Sequence, residues 1–143
     1  MPCTFCEIVA RRAPAHIVEE DALSIALLDI NPFAEGHCLI LSKRHEPWWN
    51  DLTDDEIASV FSMAKRVANR LRATFSPEFV CMYARGRRIP HTHIFLVPST
   101  SGDVLDGFFN AMERVQESPQ HLAALKTPEA LATAVRKIRG HSS

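Results

Sequence analysis

A chain of 143 residues is long enough for one compact domain and too short for two of ordinary size. Its 46% hydrophobic and 23% charged content sits near the average for globular proteins and excludes the disordered and collagen-like classes. With 16 basic against 17 acidic residues the net charge is −1, so no global field would hold the chain on nucleic acid or an anionic membrane.

The N-terminal stretch Pro2-Cys3-Thr4-Phe5-Cys6-Glu7 lacks a basic start followed by an apolar run, and no segment approaches the length of a membrane span. The chain therefore reads as cytoplasmic, with no membrane or nucleic-acid partner. Cys3, Cys6, Cys38 and Cys81 are too few and too unevenly placed for a disulfide framework. In a reducing compartment the Cys3-x-x-Cys6 pair points to metal or redox chemistry.

His16 to Glu20 and Leu23 to Leu28 are short apolar runs split by Asp21-Ala22, which predicts a hairpin. Asn31-Pro32 and Glu35-Gly36 punctuate a loop before a third strand-like run, His37 to Ser42, which ends in the basic Lys43-Arg44-His45. From Thr53 the period changes: Ile57, Val60, Phe61, Ala64, Val67, Ala68 and Leu71 fall at helical spacing. Thr53 with Glu56 three residues on has the form of a capping box, and Pro77 stops the helix. Two more strands are predicted at Phe79 to Tyr83 and His91 to Val97, separated by the basic loop Ala84-Arg85-Gly86-Arg87-Arg88. Two helices follow, one carrying Val104, Leu105, Phe108, Phe109, Met112 and Val115, the other opened by Thr127-Pro128. About five strands, one long helix and helices gathered at the C-terminal end argue for an α+β domain with an antiparallel sheet.

The chemistry-bearing stretch is His91-Thr92-His93-Ile94-Phe95-Leu96-Val97, because period-two geometry puts His91, His93 and Phe95 on one face of a strand, with Thr92, Ile94 and Leu96 toward the core. By alternation alone this is compatible with ordinary strand histidines bonded to backbone. Four segments in series add to it: Cys3-x-x-Cys6-x-Ile8, Leu28-Asp29-Ile30-Asn31-Pro32, Gly36-His37-x-Leu39-x-x-x-Lys43-x-His45, and Pro90-His91-x-His93 through Pro98. In order and approximate spacing they resemble the histidine triad family of nucleotide-binding proteins and hydrolases, over residues 3 to 98. The resemblance implies a histidine-triad core over residues 1–98, with 99–143 a helical extension packed on the same single domain.

Carried over to the matching positions, the resemblance implies that His93 is a nucleophile attacking the phosphorus bonded to a nucleoside, and that His37 lines the same phosphate pocket as a second catalytic histidine. Asp29 would hold the ribose hydroxyls, Ile30, Phe5 and Leu28 would pack on the base, and His91 would contact the substrate; Arg87, standing where the family has Gln, would still hold phosphate with Arg85 and Arg88 assisting. Cys3, Cys6, His45 and His91 match the ligands of those family members that hold a structural zinc; no organic cofactor is implied. Two-fold dimers are common in the family, with the Thr53 helix or the strand after Pro77 at the interface.

Two positions depart from the family pattern. Phe95 stands where the third histidine belongs and can neither donate nor accept a hydrogen bond. Gly86-Arg87 replaces the usual Gly-Gln, and the Asn-x-Gly segment before it is shortened or absent. The expected function is a nucleotide hydrolase or nucleotidyl transferase acting at the α-phosphate of a purine nucleoside phosphoramidate, dinucleoside polyphosphate or related nucleotide. The alternative is a non-catalytic nucleotide-binding or sensing module with a structural zinc.

Overall fold

The computed structural model describes residues 2–141; Met1, Ser142 and Ser143, which fall in the segments 1–98 and 99–143 named above, lie outside the described residues. Helix α1 (Thr4–Val9) precedes strands β1 (Ile17–Glu20), β2 (Ser24–Leu28) and β3 (Cys38–Ser42). Helix α2 (Asp54–Phe75) joins β3 to β4 (Phe79–Tyr83), and β5 (His93–Ser99) is followed by α3 (Val104–Glu117) and α4 (Pro128–Arg139). The strands form one antiparallel sheet in the order β1-β2-β3-β5-β4, so the last strand to be made lies inside the sheet. The α+β class, the five strands and the long helix are those expected from the sequence.

Strands β2, β3 and β5 read as unbroken apolar runs because both their faces are covered. On one face Ala26, Cys38, Ile40, Ile94 and Leu96 pack beneath Val60, Met63, Ala64, Val67 and Leu71 of α2. On the other, Ile25, Leu27, Leu39 and Leu41 pack with Phe5 and Ile8 of α1. Each large side chain buried this way is worth roughly 1.5–3 kcal/mol of transfer free energy.

Helix α2 begins as its sequence predicts. The Glu56 N–H donates to Thr53 Oγ1 at 3.2 Å and the Thr53 N–H donates to Glu56 Oε1 at 3.0 Å, satisfying two amides at the helix start. It ends at Phe75, where Ser76 turns into the left-handed region and donates its N–H to the Arg72 carbonyl. Glu56 also receives the guanidinium of Arg44, with Nη2 at 2.9 Å from Oε1 and Nε at 3.0 Å from Oε2. The capping box thereby ties the loop after β3 to α2.

Two elements differ from expectation. β5 begins at His93 rather than His91. The Thr92 N–H and hydroxyl both donate to the Glu46 carbonyl, at 2.7 Å each, and this pulls the preceding residues off the β3 ladder before the strand starts. His91 therefore does not share a strand face with His93. Helix α1 was not predicted, because its six residues are too short to display a period.

Chain packing separates a unit ending at Asp103 from a second that starts at Val104, a few residues beyond the boundary expected at 98. The second unit holds α3, a 3₁₀ turn over Ala123–Leu125, and α4. As the sequence suggests, α4 opens with Thr127 Oγ1 accepting the Ala130 N–H at 3.1 Å and with Pro128 in the first turn. Phe108 is exposed and Phe109 half-buried. Among the described residues no helix is long and apolar enough to cross a membrane.

The Arg44 guanidinium, followed by the Thr53 amide, holds the buried Glu56 carboxyl down from 4.5 to about 2. A depressed folded-state value means that the stabilisation is complete above pH 4.5 and is lost as the pH falls through about 2. Glu56→Gln is expected to cost about 1–2 kcal/mol near neutral pH, the half-exposed arginine limiting the gain. In urea unfolding the gap between wild type and variant should close across that acid window; a gap independent of pH would show that the carboxylate charge is not its source.

Candidate functional site

A cleft of about 750 Å³ lies on the sheet face opposite α2. Its floor is a cross-strand row, Leu27–Leu39–Phe95–Tyr83, set by the registers of β2, β3, β5 and β4, with His93 one step along β5 opposite Leu41. Helix α1 forms one wall through Phe5 and Ile8, whose burial against the floor explains why this short helix forms. The segment between α1 and β1 and the loops after β2 and β4 form the rest. The cleft brings together His37, His93, Asp29, Ile30, Phe5, Leu28, Arg85, Arg87 and Arg88 from the sequence reading.

His93 is nearly buried, and its Nδ1–H donates to the carbonyl of His91 at 2.6 Å. A carbonyl can only accept, so in the neutral ring Nε2 is the nitrogen that keeps its lone pair. The edges of Phe5 and Phe95 lie against the imidazole, each with centroids 5.1 Å away.

His37 is carried into the cleft by Gly36, whose φ of +90° suits glycine and whose missing Cβ would fall 2.5 Å from the ring of Phe75. Its Nδ1 accepts the Phe33 N–H at 3.1 Å, which leaves the neutral ring's proton on Nε2. Burial lowers its pKa, with the Asp29 charge opposing, so the ring is neutral at pH 7. That Nε2 is buried without a hydrogen-bond partner among the described residues: Asp29 Oδ2, 3.5 Å away, is not hydrogen-bonded to it. Asp29 itself closes a turn by accepting the Asn31 N–H on Oδ1 at 2.7 Å, keeping Oδ2 on the side of His37. Ile30 is 82% exposed at the edge of the cleft, which removes it from the core.

His91 does not line the cleft, contrary to the substrate contact expected of it. Its buried ring donates Nε2–H to the Ser42 carbonyl at 2.6 Å and turns Nδ1 toward Cys3 and Cys6, 3.5 Å from each sulfur. The Cys6 sulfur is also 3.3 Å from Nδ1 of His45, and the four ligand atoms lie within 4.8 Å of one another. A tetrahedron with Zn–S about 2.3 Å and Zn–N about 2.0–2.1 Å places sulfur and nitrogen roughly 3.5 Å apart. The Ser42 contact fixes the tautomer that a ligating Nδ1 needs. Donor set, spacing and tautomer are compatible with zinc.

The sequence reading missed Phe33, which stacks on His37 at 5.8 Å and 13°, and Tyr83, which stacks on Phe95 at 4.7 Å and 16°. Phe33 follows the Asn31-Pro32 turn, in a loop with no periodic signal. Tyr83 ends β4 directly opposite Phe95, a register that only the folded sheet reveals.

The HIT domain profile matches residues 10–102, and the chain belongs to the HIT family. It is 36% identical over 110 residues to an uncharacterized HIT-like protein of Mycobacterium tuberculosis, covering 73% of this chain and 76% of that one. It is 32% identical over 103 residues to the adenosine 5′-monophosphoramidase of Schizosaccharomyces pombe, covering 68% and 74%. A HIT family protein of Bacillus subtilis superposes with a TM-score of 0.81 at 25% identity, over 100% of this chain and 99% of that one. A Zn-bound histidine triad protein of Mycobacterium smegmatis superposes at 0.67 with 29% identity, over 72% and 78%. The family thus includes nucleotide hydrolases.

Protein prepared without chelator is expected to carry about one zinc per chain by elemental analysis, and Cys3→Ser to lose it with a drop in thermal stability. Full stability and unchanged metal content in Cys3→Ser would remove the thiol from the cluster.

Proposed function

We propose that the protein is a nucleotide hydrolase or nucleotidyl transferase in which His93 Nε2 attacks the α-phosphorus of a nucleoside phosphoramidate, dinucleoside polyphosphate or related nucleotide. The observation that carries this reading is the 2.6 Å bond from His93 Nδ1–H to the His91 carbonyl, which leaves Nε2 as the lone-pair nitrogen of a ring that lines the cleft. A bond forms from Nε2 to phosphorus and the bond to the leaving group breaks, the electron pair departing with that group. The proton stays on Nδ1, hydrogen-bonded to the His91 carbonyl, so the cationic nucleotidyl-imidazole is held without a further transfer. Water, or a second acceptor, then attacks phosphorus and returns the pair to Nε2, releasing its own proton to solvent.

The remaining residues take the roles that their positions support. His37 Nε2–H, buried and unpartnered, suits a phosphate oxygen, which would satisfy a donor that is costly to leave unpaired. Arg85, Arg87 and Arg88 supply exposed cations from one loop, meeting a local need in a chain of net charge −1. Asp29 Oδ2 faces the ribose and Ile30 with Leu28 and Phe5 the base. The Cys3–Cys6–His45–His91 cluster would hold zinc as a structural tie, with no part in the bond changes. A two-fold dimer of the family kind would use α2 or the edge strand β4. Phe95 supports the second reading, a binding or sensing module, because no imidazole at that position donates a proton to the leaving group.

Trapping with a nucleotide substrate and mass spectrometry should find the nucleotidyl group on His93, and His93→Ala should abolish both adduct and turnover. Binding without any adduct would leave the sensing module. Restoring the proton donor with Phe95→His should raise cleavage of alkylamine phosphoramidates, by up to roughly 10²–10⁴-fold, far more than cleavage of a nitrophenyl ester whose leaving group needs no proton. An equal gain on both substrates would sink the assignment of Phe95. If Asp29 holds the ribose, a 2′,3′-dideoxy nucleotide should bind about 1–3 kcal/mol more weakly by calorimetry.

A further inference from the structure

A second, smaller hollow of about 80 Å³ opens beside His93. It shares three residues with the large cleft, His93, Arg85 and Gly86, and these mark the place where the two spaces meet. What distinguishes the small hollow is Trp48 and Trp49, adjacent indoles that are 50% and 53% exposed. They are the chain's two tryptophans.

Large aromatic side chains this exposed usually sit on loose surface; here the turn that carries them is tied at both ends. Glu46 takes two hydrogen bonds from Thr92 on its carbonyl and accepts the Trp48 N–H on its carboxylate at 3.4 Å. Arg44 Nη2 donates to the Asp51 carbonyl at 3.5 Å from the other end, while its guanidinium grips Glu56 of α2. Trp48 lies over Gly86, where an added Cβ would rest 3.7 Å from the ring, so the Trp turn and the arginine loop wall the same space. A flat surface held this way loses little freedom when a ring lies on it.

We propose that this hollow is the subsite for the group that leaves phosphorus, and that it takes a planar aromatic group, an aryl ester or aryl amide of the nucleotide. The proposal rests on the reading of His93 as the residue that attacks phosphorus: with phosphate at the junction and the nucleoside in the large cleft, the third substituent has the indoles beside it. The hollow is too small for a second nucleoside, given a neighbour of about 750 Å³. It suits an alkylammonium poorly, since no carboxylate lines it and Arg85 does. Glu46 is engaged by Arg44 and the Trp48 amide. A ring stacked on indole, with the Arg85 guanidinium alongside, meets each of these conditions.

The test compares two adenosine 5′-monophosphate esters of matched leaving-group acidity, one a substituted phenol and the other a fluorinated alcohol. Wild type should prefer the aryl ester by roughly 3- to 10-fold in kcat/KM, and the ratio should fall to near one in the Trp48→Ala, Trp49→Ala double variant and persist in Trp49→Phe. Intrinsic fluorescence supplies a readout that needs no turnover, because both tryptophans lie in the hollow. In His93→Ala protein the aryl ester should quench or shift the emission, and the alkyl ester, adenosine monophosphate and adenylyl sulfate should not. A wild-type ratio of one, a ratio unmoved by the double variant, or a larger shift with adenylyl sulfate overturns the proposal. If wild type turns over neither ester, the catalytic reading fails by itself, and the fluorescence still decides whether the hollow receives an aromatic group.

Discussion

The imidazole of His91 is held by three parts of the chain at once, and much of the site depends on it. Its Nε2–H reaches back 49 positions to the carbonyl at the end of β3, its Nδ1 meets both N-terminal cysteines, and its own carbonyl accepts the Nδ1–H of His93, two residues on. Fixing the ring at Ser42 orients Nδ1, and fixing the backbone behind it chooses the tautomer of His93. Because α1 carries the two thiols and also Phe5, the same contacts set one wall of the cleft.

Polar groups within the cleft have complementary duties, each set by what surrounds it. Burial keeps His37 neutral, and the Phe33 amide decides which of its nitrogens can donate. Arginines line the cleft only from the exposed loop after β4, so attraction for an anion is felt at the rim. Phe95 extends the apolar floor toward Tyr83 where an imidazole would have interrupted it. The same ring that removes a proton donor therefore also lowers the polarity around the neighbouring His93 and His37.

Much of this architecture can be read from the residues, and the misses share a cause. Periodicity placed α2 and its capping box because twenty-odd residues of amphipathic helix and a Thr-x-x-Glu pair are local signals. The same is true of Thr127-Pro128 at the start of α4. Helix α1 carries no period of its own; it exists because Phe5 and Ile8 have a sheet to bury against. The beginning of β5 was misplaced for a related reason, since Thr92 is claimed by Glu46, a residue 46 positions earlier that no local pattern links to it. Cleft residues were found where a motif names them, as at His37 and Asp29. Phe33 and Tyr83 were missed because no motif names them: Phe33 sits in a loop without a period, though its partner His37 is only four residues on, and Tyr83 meets Phe95 through the pairing of β4 with β5.

The arrangement of the cluster has a consequence for how the molecule is made. Cys3 and His91 lie 88 positions apart, and Cys6 and His45 39 apart, so the four side chains span most of the first unit. β5 must also insert between β3 and β4, pairing Cys38 with Leu96, before His91 and His93 reach their places. Long-range pairings of this kind are slow to form, because chain entropy is lost before the contacts that repay it are made. A nascent chain with its first three strands folded still has only part of the cluster and lacks His93. The cleft is complete only once β5 is paired, and an ion caught by the four side chains would then cross-link the two ends of the unit much as a disulfide would.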